Sequence, residues 1–277
     1  MRTKTLFAAA LVGLGSMANA QTTQMSNDAG AVITPEAGDW AIGFNAAPIL
    51  NYAGNMFNGT IGNSMGSAFV GNDQAIYGKY FVDENTAYRG SLRLATGSTT
   101  INSVYAGMNN DSLTNTAKFS GGAVVLSAGL EKRKGHNRLQ GYYGGEVMIT
   151  LGGTQASEEY TYAAAMDTVS LNAGILVDEN GTPSTSRTDA KSYGSTFGIG
   201  LRGFIGAEYF FAPKVSIAAE YGWGLSYSST SGSETTTSSL SVADNVTTET
   251  IVMGGTSSNF GIDTDNLGGA IRLMFHF

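Results

Sequence analysis

The chain contains no cysteine, which excludes disulfides and a lipid-modified N-terminal cysteine. Only 13% of its residues are charged. Beyond residue 20, no apolar run approaches the roughly 18 to 20 residues that a membrane-spanning helix needs. Any membrane-spanning part must therefore be built from strands, and its stability must come from strand pairing and packing.

Glycine and aromatic residues are abundant where charge is scarce. Gly occupies 38 positions, and Tyr and Phe occupy 13 each, which favours a glycine- and aromatic-rich sheet over an average globular domain. Without the N-terminal Arg2 and Lys4, the chain has 13 basic and 22 acidic residues, a net charge of −9. This balance makes nucleic acid an unsuitable partner.

The N-terminus has the three parts of a secretory signal peptide. Arg2 and Lys4 precede an apolar run from Leu6 to Leu14, and Ala18-Asn19-Ala20 is a small-residue cleavage site. We therefore expect an exported protein with a signal peptide at 1–20, a polar periplasmic segment at 21–38 and one domain at 39–277.

Three short polar turns divide alternating segments into hairpins. They lie at 83–86, 134–137 and 212–214, and the last contains a proline that a strand interior would not accept. A first strand near 40–46 and a last one at 271–277 bring the count to eight. An even number of strands places both termini on the same side.

The connections on the opposite side are long and rich in Ser, Thr, Asn and Gly. They cover 51–73, 97–117, 153–192 and 229–259, and the low-complexity run 228–237 is predicted to be mobile. Short turns on one rim and long polar loops on the other are typical of the periplasmic and extracellular sides of outer-membrane barrels.

The last seven residues alternate between two faces. One face carries Ile271, Leu273, Phe275 and Phe277, and the other carries Arg272, Met274 and His276. In a soluble sheet the apolar face would pack on a core, whereas in a transmembrane barrel it would face lipid.

These turns, this alternation and the terminal Phe277 carry a resemblance. Residues 39–277 resemble the small eight-stranded outer-membrane barrels, the class of the outer-membrane protein A transmembrane domain and the X-type barrel. The resemblance implies an all-β fold, an eight-stranded antiparallel up-and-down transmembrane β-barrel in the outer membrane of a Gram-negative cell. The chain departs from the protein A pattern because no peptidoglycan-binding domain follows Phe277. Its Asn-, Gly- and Thr-rich loops resemble proteins of the Bacteroidota.

The resemblance also implies partners. Outer-membrane lipid and lipopolysaccharide would surround the wall. The outward residues of the last strand, Ile271, Leu273, Phe275 and Phe277, would be the signal that the barrel-assembly machinery reads. Further envelope proteins are expected as partners.

The two faces of the other strands separate apolar from charged residues. The predicted outward face carries Tyr88, Leu92, Leu94, Val124, Leu126, Leu130, Ile199, Leu201, Ile205, Tyr209, Phe211, Ile217, Tyr221, Trp223 and Leu225. A ligand-binding barrel of the lipocalin kind would have the reverse arrangement. Aromatic residues near the turns are predicted to form an interfacial girdle, with members Trp40, Tyr80, Phe81, Tyr88, Tyr209, Phe210, Phe211, Phe275 and Phe277.

The predicted inward face carries a charge network in the lumen. Its members are Lys79, Arg89, Arg93, Glu131, Glu146, Arg202, Glu208, Glu220 and Arg272. Eight strands leave a lumen just wide enough for side chains to fill. We therefore expect a packed polar interior of mutually paired charges. A gate whose ion pairs exchange to pass small ions is the alternative.

Other motifs predict no catalytic, cofactor or metal site. Gly198–Gly203 matches G-x-G-x-x-G but lies inside a strand, without the helix that a dinucleotide site requires. His136 and His276 lie at the short-turn side, away from any nucleophile on the long loops. The 263–266 segment lacks the glycine and distal glutamate of a calcium loop.

The sequence thus favours a non-enzymatic outer-membrane barrel that acts through its extracellular loops or as a subunit of an envelope complex. A small-conductance, porin-like channel is the second hypothesis. A lipid-modifying enzyme is the third.

Overall fold

The computed structural model describes residues 32–46, 49–50, 75–107, 111–264 and 270–277. The predicted signal peptide, residues 21–31 of the predicted periplasmic segment and the whole of the predicted 51–73 loop lie outside these residues. No helix among the described residues is long and apolar enough to cross a membrane.

Most of the described chain is strand. The strands are β1 (Trp40–Asn45), β2 (Ile76–Asp83), β3 (Thr86–Ala106), β4 (Ser112–His136), β5 (Leu139–Thr161), β6 (Ser186–Ser192), β7 (Thr196–Ala212), β8 (Val215–Thr230), β9 (Glu234–Ser241), β10 (Val246–Met253), β11 (Ser257–Thr264) and β12 (Ala270–His276). A short helix, α1 (Thr168–Asn172), follows β5, and the side chain of Asp167 caps its N-terminus.

Eight of these strands form a closed ring in the order β1-β2-β3-β4-β5-β7-β8-β12. Every neighbouring pair is antiparallel, and β12 closes the ring by pairing with both β1 and β8. These eight strands coincide with the eight predicted from the turns. The predicted all-β, antiparallel architecture is therefore confirmed.

Two-residue turns join the hairpins at one end of the ring, which we call the short-turn end. The connecting residues are Glu84-Asn85, Asn137-Arg138 and Pro213-Lys214. Asn137 has φ 62° and Lys214 has φ 58°, the left-handed conformation that many two-residue hairpin turns adopt. Residues 32–38 lie at the same end, where the carbonyl of the buried Ile33 accepts the Lys214 amide at 3.2 Å.

The prediction of long irregular loops at the opposite end is wrong for most of the described residues. β3 and β4 stay paired from Gly97–Gly121 up to Ala106–Ser112, and β5 continues to Thr161. Beyond the ring, β6 pairs with β5, β9 with β6, and β10 with β9. The run 228–237, predicted to be mobile, is mostly the end of β8 and the start of β9.

We call residues 97–107, 111–121, 152–192 and 231–253 the extension. It carries ten acidic and three basic residues, a formal net charge of −7. Hydroxyl pairs link its strands, such as Ser120 with Ser157 at 2.8 Å. Several of its apolar residues are buried, including Ile175, Leu176, Val177 and Leu240.

The ring has an apolar exterior. Of the fifteen residues predicted to face outward, Val124, Leu201 and Ile217 are half-buried and the other twelve are exposed, including Ile205 (63% exposed) and Trp223 (56%). On the last strand Phe275 and Phe277 are exposed, and Ile271 and Leu273 are half-buried.

The predicted girdle is wrong for two of its members. Phe81 and Phe210 are completely buried. Strand alternation gives the reason, since Tyr80 and Tyr209 next to them point outward and each phenylalanine must then point inward. Inside, both rings lie against His276, with centroids 5.5 and 5.1 Å from the imidazole.

Candidate functional site

A network of ionisable side chains fills the interior of the ring. Ten members come from seven ring strands: Lys79, Arg89, Glu131, Arg133, Glu146, Arg202, Glu208, Glu220, Arg272 and His276. We call these ten residues the charge network. All except Arg202 are buried, and the Arg202 side chain is 12% exposed.

The half of the network near the short turns centres on Glu131 and Glu208, which are fully buried. Lys79 Nζ lies 2.9 Å from Glu131 Oε1 and 3.2 Å from Glu208 Oε2. Arg133 Nη1 bridges the same two carboxylates at 3.0 and 2.8 Å. Two cations thus neutralise two carboxylates in a region without solvent access.

The other half centres on Glu220, which binds three arginines. Its carboxylate oxygens lie 2.7 Å from Arg89 Nη1, 2.6 Å from Arg272 Nη1 and 2.8 Å from Arg202 Nη1. Glu146 bridges Arg89 and Arg202 at 3.2 and 3.0 Å. Because Arg89 also lies 3.5 Å from Glu131, the two halves form one connected network.

Aromatic rings cover the cations on the sides that carboxylates leave open. The Arg89 guanidinium lies 3.9 Å from the Phe204 ring centroid, and Arg272 lies 4.0 Å from that of Tyr77. Lys79 lies 4.7 Å from the Tyr142 centroid. Each such contact contributes about 0.5 to 2 kcal/mol, with the larger values at desolvated sites like these.

Two glycines make room for the large interior side chains. A Cβ at Gly222 would lie 2.5 Å from Arg202 Nη2, and one at Gly206 would lie 2.4 Å from the Tyr142 ring. Both distances are shorter than carbon contacts allow. The absence of a side chain at Gly222 therefore lets Arg202 reach across the strand to Glu220.

Loss of one member of an ion pair is the change that destabilises such a network most. A buried ion network gains little over an apolar core, but removing one partner leaves an unpaired buried charge that costs about 3 to 5 kcal/mol. The network therefore makes the packing of seven strands mutually dependent.

The structure brings together eight of the nine residues that the sequence assigns to the interior charges. The ninth, Arg93, is half-buried on β3, farther from the short turns than Arg89. Glu146 and Arg202 are register partners on β5 and β7. Arg133 is missing from the predicted set although it lies two residues after Glu131 on the same face, so strict alternation would have included it.

His276 lies in a setting that resembles a catalytic cluster in composition only. Its Nε2 lies 3.1 Å from Ser216 Oγ and 3.0 Å from Glu208 Oε1, while Nδ1 has no hydrogen-bond partner among the described residues. In a catalytic triad the nucleophile and the acid bind opposite nitrogens of the imidazole. Here both bind the same nitrogen, and the His276 and Glu208 side chains are fully shielded from solvent.

A second, smaller polar cluster lies in the extension around the buried Glu158. Tyr160 donates to its carboxylate at 2.7 Å, Tyr193 also donates to it, and Lys191 lies 3.7 Å away. The hydrogen bond to Glu158 raises the pKa of Tyr193. These contacts connect β5, β6 and the segment before β7.

No cluster of three or more potential metal ligands occurs among the described residues. No family model matches the chain. A search of the curated proteins finds no similar sequence.

Proposed function

We propose that the chain is an integral outer-membrane protein, a transmembrane β-barrel without enzymatic activity. Its extension would act outside the membrane, in contacts at the cell surface or within an envelope complex. The barrel is the closed ring of eight strands, with its short-turn end in the periplasm. The observation that carries this proposal is the reversal of polarity between the two sides of the ring wall.

The reversal fits lipid better than water as the surrounding medium. Large apolar side chains such as Ile205 and Trp223 are exposed on the exterior, while the interior holds the charge network. A soluble protein rarely exposes a continuous apolar surface of this kind. A transmembrane barrel requires it, because hydrocarbon surrounds the wall.

Strand length supports the proposed role of the extension. A membrane-spanning strand needs about 9 to 11 residues, whereas β3, β4 and β5 have 21, 25 and 23. At about 3.3 Å per residue, the surplus of ten or more residues extends at least 30 Å along the strand. The extension therefore offers far more surface for contacts than turns that only reconnect strands.

Membrane extraction tests the location. We expect the full-length protein to stay in the outer-membrane fraction through an alkaline carbonate wash and to need detergent for solubility. A soluble monomer in the absence of detergent would overturn the proposal.

A second experiment tests the role of the extension. Residues 232–255 are replaced by a short Gly-Ser turn. Unchanged cell-surface binding and envelope integrity would argue against that role.

The charged interior also supports a second candidate, a small-conductance channel. The region near the short turns opposes it, since Phe81, Phe210, Glu131, Glu208 and Met274 are each completely buried there. Planar-bilayer recordings decide between the two. Currents that change with Glu146→Ala or Arg202→Ala would favour the channel, and no current from folded protein would reject it.

A lipid-modifying enzyme has weaker support, given the shielded His276 described above. Mass spectrometry of lipid A from cells with and without the gene tests it. We expect identical spectra.

A further inference from the structure

A group of cations lies at the short-turn end of the ring. It consists of Lys132 and Lys134 on β4 and Arg138 in the turn between β4 and β5. We call these three residues the rim patch. Glu131 and Arg133 alternate with the two lysines and are buried in the charge network, so the lysines project to the opposite, outer side.

The rim patch directly adjoins the apolar exterior. Leu130 precedes Lys132 by two residues on the same face and is exposed, and Leu139 is exposed beside the turn. Tyr143 is the register partner of Lys132 on β5. Basic residues next to aromatic and aliphatic side chains are typical of the level at which a barrel meets lipid headgroups.

The contacts of the rim patch leave its charge uncompensated among the described residues. Lys132 Nζ donates to the Thr86 hydroxyl at 2.7 Å, and Arg138 Nη1 donates to the carbonyls of Phe210 and Phe211 at 3.1 and 3.2 Å. These partners are uncharged oxygens, and Lys134 is exposed. Three positive charges thus lie on one hairpin, two on β4 and one in the turn that follows it.

The rest of this rim differs. Lys214, in the turn between β7 and β8, forms an ion pair with Asp39. The acidic residues Asp83 and Glu84 lie on the turn between β2 and β3, and Asp83 accepts the Asn85 amide at 2.7 Å. Positive charge is therefore concentrated on the β4–β5 hairpin and not spread around the rim.

We infer that the rim patch binds the phosphate of an anionic phospholipid in the membrane leaflet at the short-turn end. A lipid suits the site better than free phosphate because its acyl chains can lie along Leu130 and Leu139 while its phosphate meets the cations. This inference rests on the proposed membrane location. Each cation near an anionic membrane surface favours binding by about fivefold.

Native mass spectrometry of the full-length protein in a neutral detergent tests the inference. Equal amounts of phosphatidylglycerol and phosphatidylcholine are added, and the lipid-bound fractions are compared. We expect phosphatidylglycerol to predominate. Replacing both lysines, with Lys132→Gln and Lys134→Gln, should lower that preference about tenfold or more. Neither lysine pairs with a carboxylate in the part of the chain that the structure describes, so circular dichroism should show unchanged folding.

A matched control removes a cation that is already neutralised. Lys214→Asn removes one charge from the same rim with a residue that tolerates the positive φ, and it should leave the lipid preference unchanged. Equal binding of the two lipids, or equal losses in the control and the double variant, would overturn the inference. Displacement of the lipid by inorganic phosphate would also overturn it, because it would show a site for the free ion.

A separate measurement keeps this inference distinct from the proposed function. The same protein is reconstituted into vesicles of pure phosphatidylcholine. Failure to insert would contradict the membrane location itself. Insertion without a preference for phosphatidylglycerol would contradict only the rim patch.

Discussion

The ring and the extension use the same antiparallel ladder in two different settings. In the ring, charged residues such as Glu220 face inward and apolar residues such as Ile205 face outward. In the extension, β10 is exposed along its whole length, with Glu249 and Ile251 both open to the surroundings. Strict alternation persists only where the two sides of a sheet meet different media. Under the proposed membrane location, the point at which alternation is lost would be the edge of the membrane.

The largest expected effect comes from breaking the charge network. Glu220→Gln removes the carboxylate shared by Arg89, Arg202 and Arg272 and leaves buried cations underpaired. We expect a loss of about 3 to 5 kcal/mol in the free energy of unfolding. Urea titration in lipid vesicles, followed by tryptophan fluorescence, measures it. Glu249→Gln, an exposed substitution in the extension, should change stability by less than about 0.5 kcal/mol. Equal effects at the two positions would remove the distinction between the regions.

The second-largest expected difference between the ring and the extension comes from placing a charge on an exposed apolar position. Ile205→Arg places a cation near the middle of the apolar exterior and should cost about 2 to 4 kcal/mol if hydrocarbon surrounds it. Ile251→Arg makes the same change on β10, where Ile251 is 55% exposed, and should cost almost nothing. The comparison uses the same vesicle unfolding assay. A harmless Ile205→Arg would mean that water surrounds the ring.

Interior packing gives a smaller contrast. Gly222→Ala forces the Arg202 guanidinium away from Glu220, and we expect a cost of about 1 to 3 kcal/mol, as for other overpacked interiors. Gly97→Ala in the extension meets nothing within 4 Å and should be neutral or slightly stabilising. Urea unfolding midpoints of the two variants are compared with that of the parent chain. If Gly222→Ala leaves the unfolding midpoint unchanged, the position of the Arg202 side chain across Gly222 does not stabilise the ring.

The ring could be predicted from the sequence because alternation and turn chemistry agree there. Asp83–Thr86 and the proline at 213 mark strand ends, and the period of two assigns Lys79, Glu131 and Glu208 to one side. Alternation alone also assigns Arg133, Phe81 and Phe210 to that inner side. Phe81 and Phe210 lie near turns, as girdle residues do, but the face of the strand decides whether a side chain points inward or outward.

The extension could not be predicted in the same way. Its Ser, Thr and Gly residues are the residues of loops, and water on both faces removes the alternation that reveals a strand. Its pairing instead depends on contacts distant in sequence, such as β6 between β5 and β9. No local pattern encodes those partners. The pairing of Glu220 with three arginines on three strands could not be predicted for the same reason. The position of a residue along its strand gives its height in the ring but not which side chains it contacts.

The smallest expected effect comes from removing the outer hairpin. Replacing residues 232–255 by a short Gly-Ser turn deletes β9 and β10. Among the described residues β9 pairs with β6, β10 pairs with β9, and neither pairs with a ring strand. The only two tryptophans, Trp40 and Trp223, lie on ring strands, so their fluorescence follows the ring alone. We expect the free energy of unfolding measured by fluorescence to stay within about 0.5 kcal/mol of the parent value, the range of surface changes. Hydrogen exchange should quicken only in β6 and the segment around α1, which lose their cover. A large shift in the tryptophan signal would show that the ring depends on the extension, and the two regions would then be one cooperative unit.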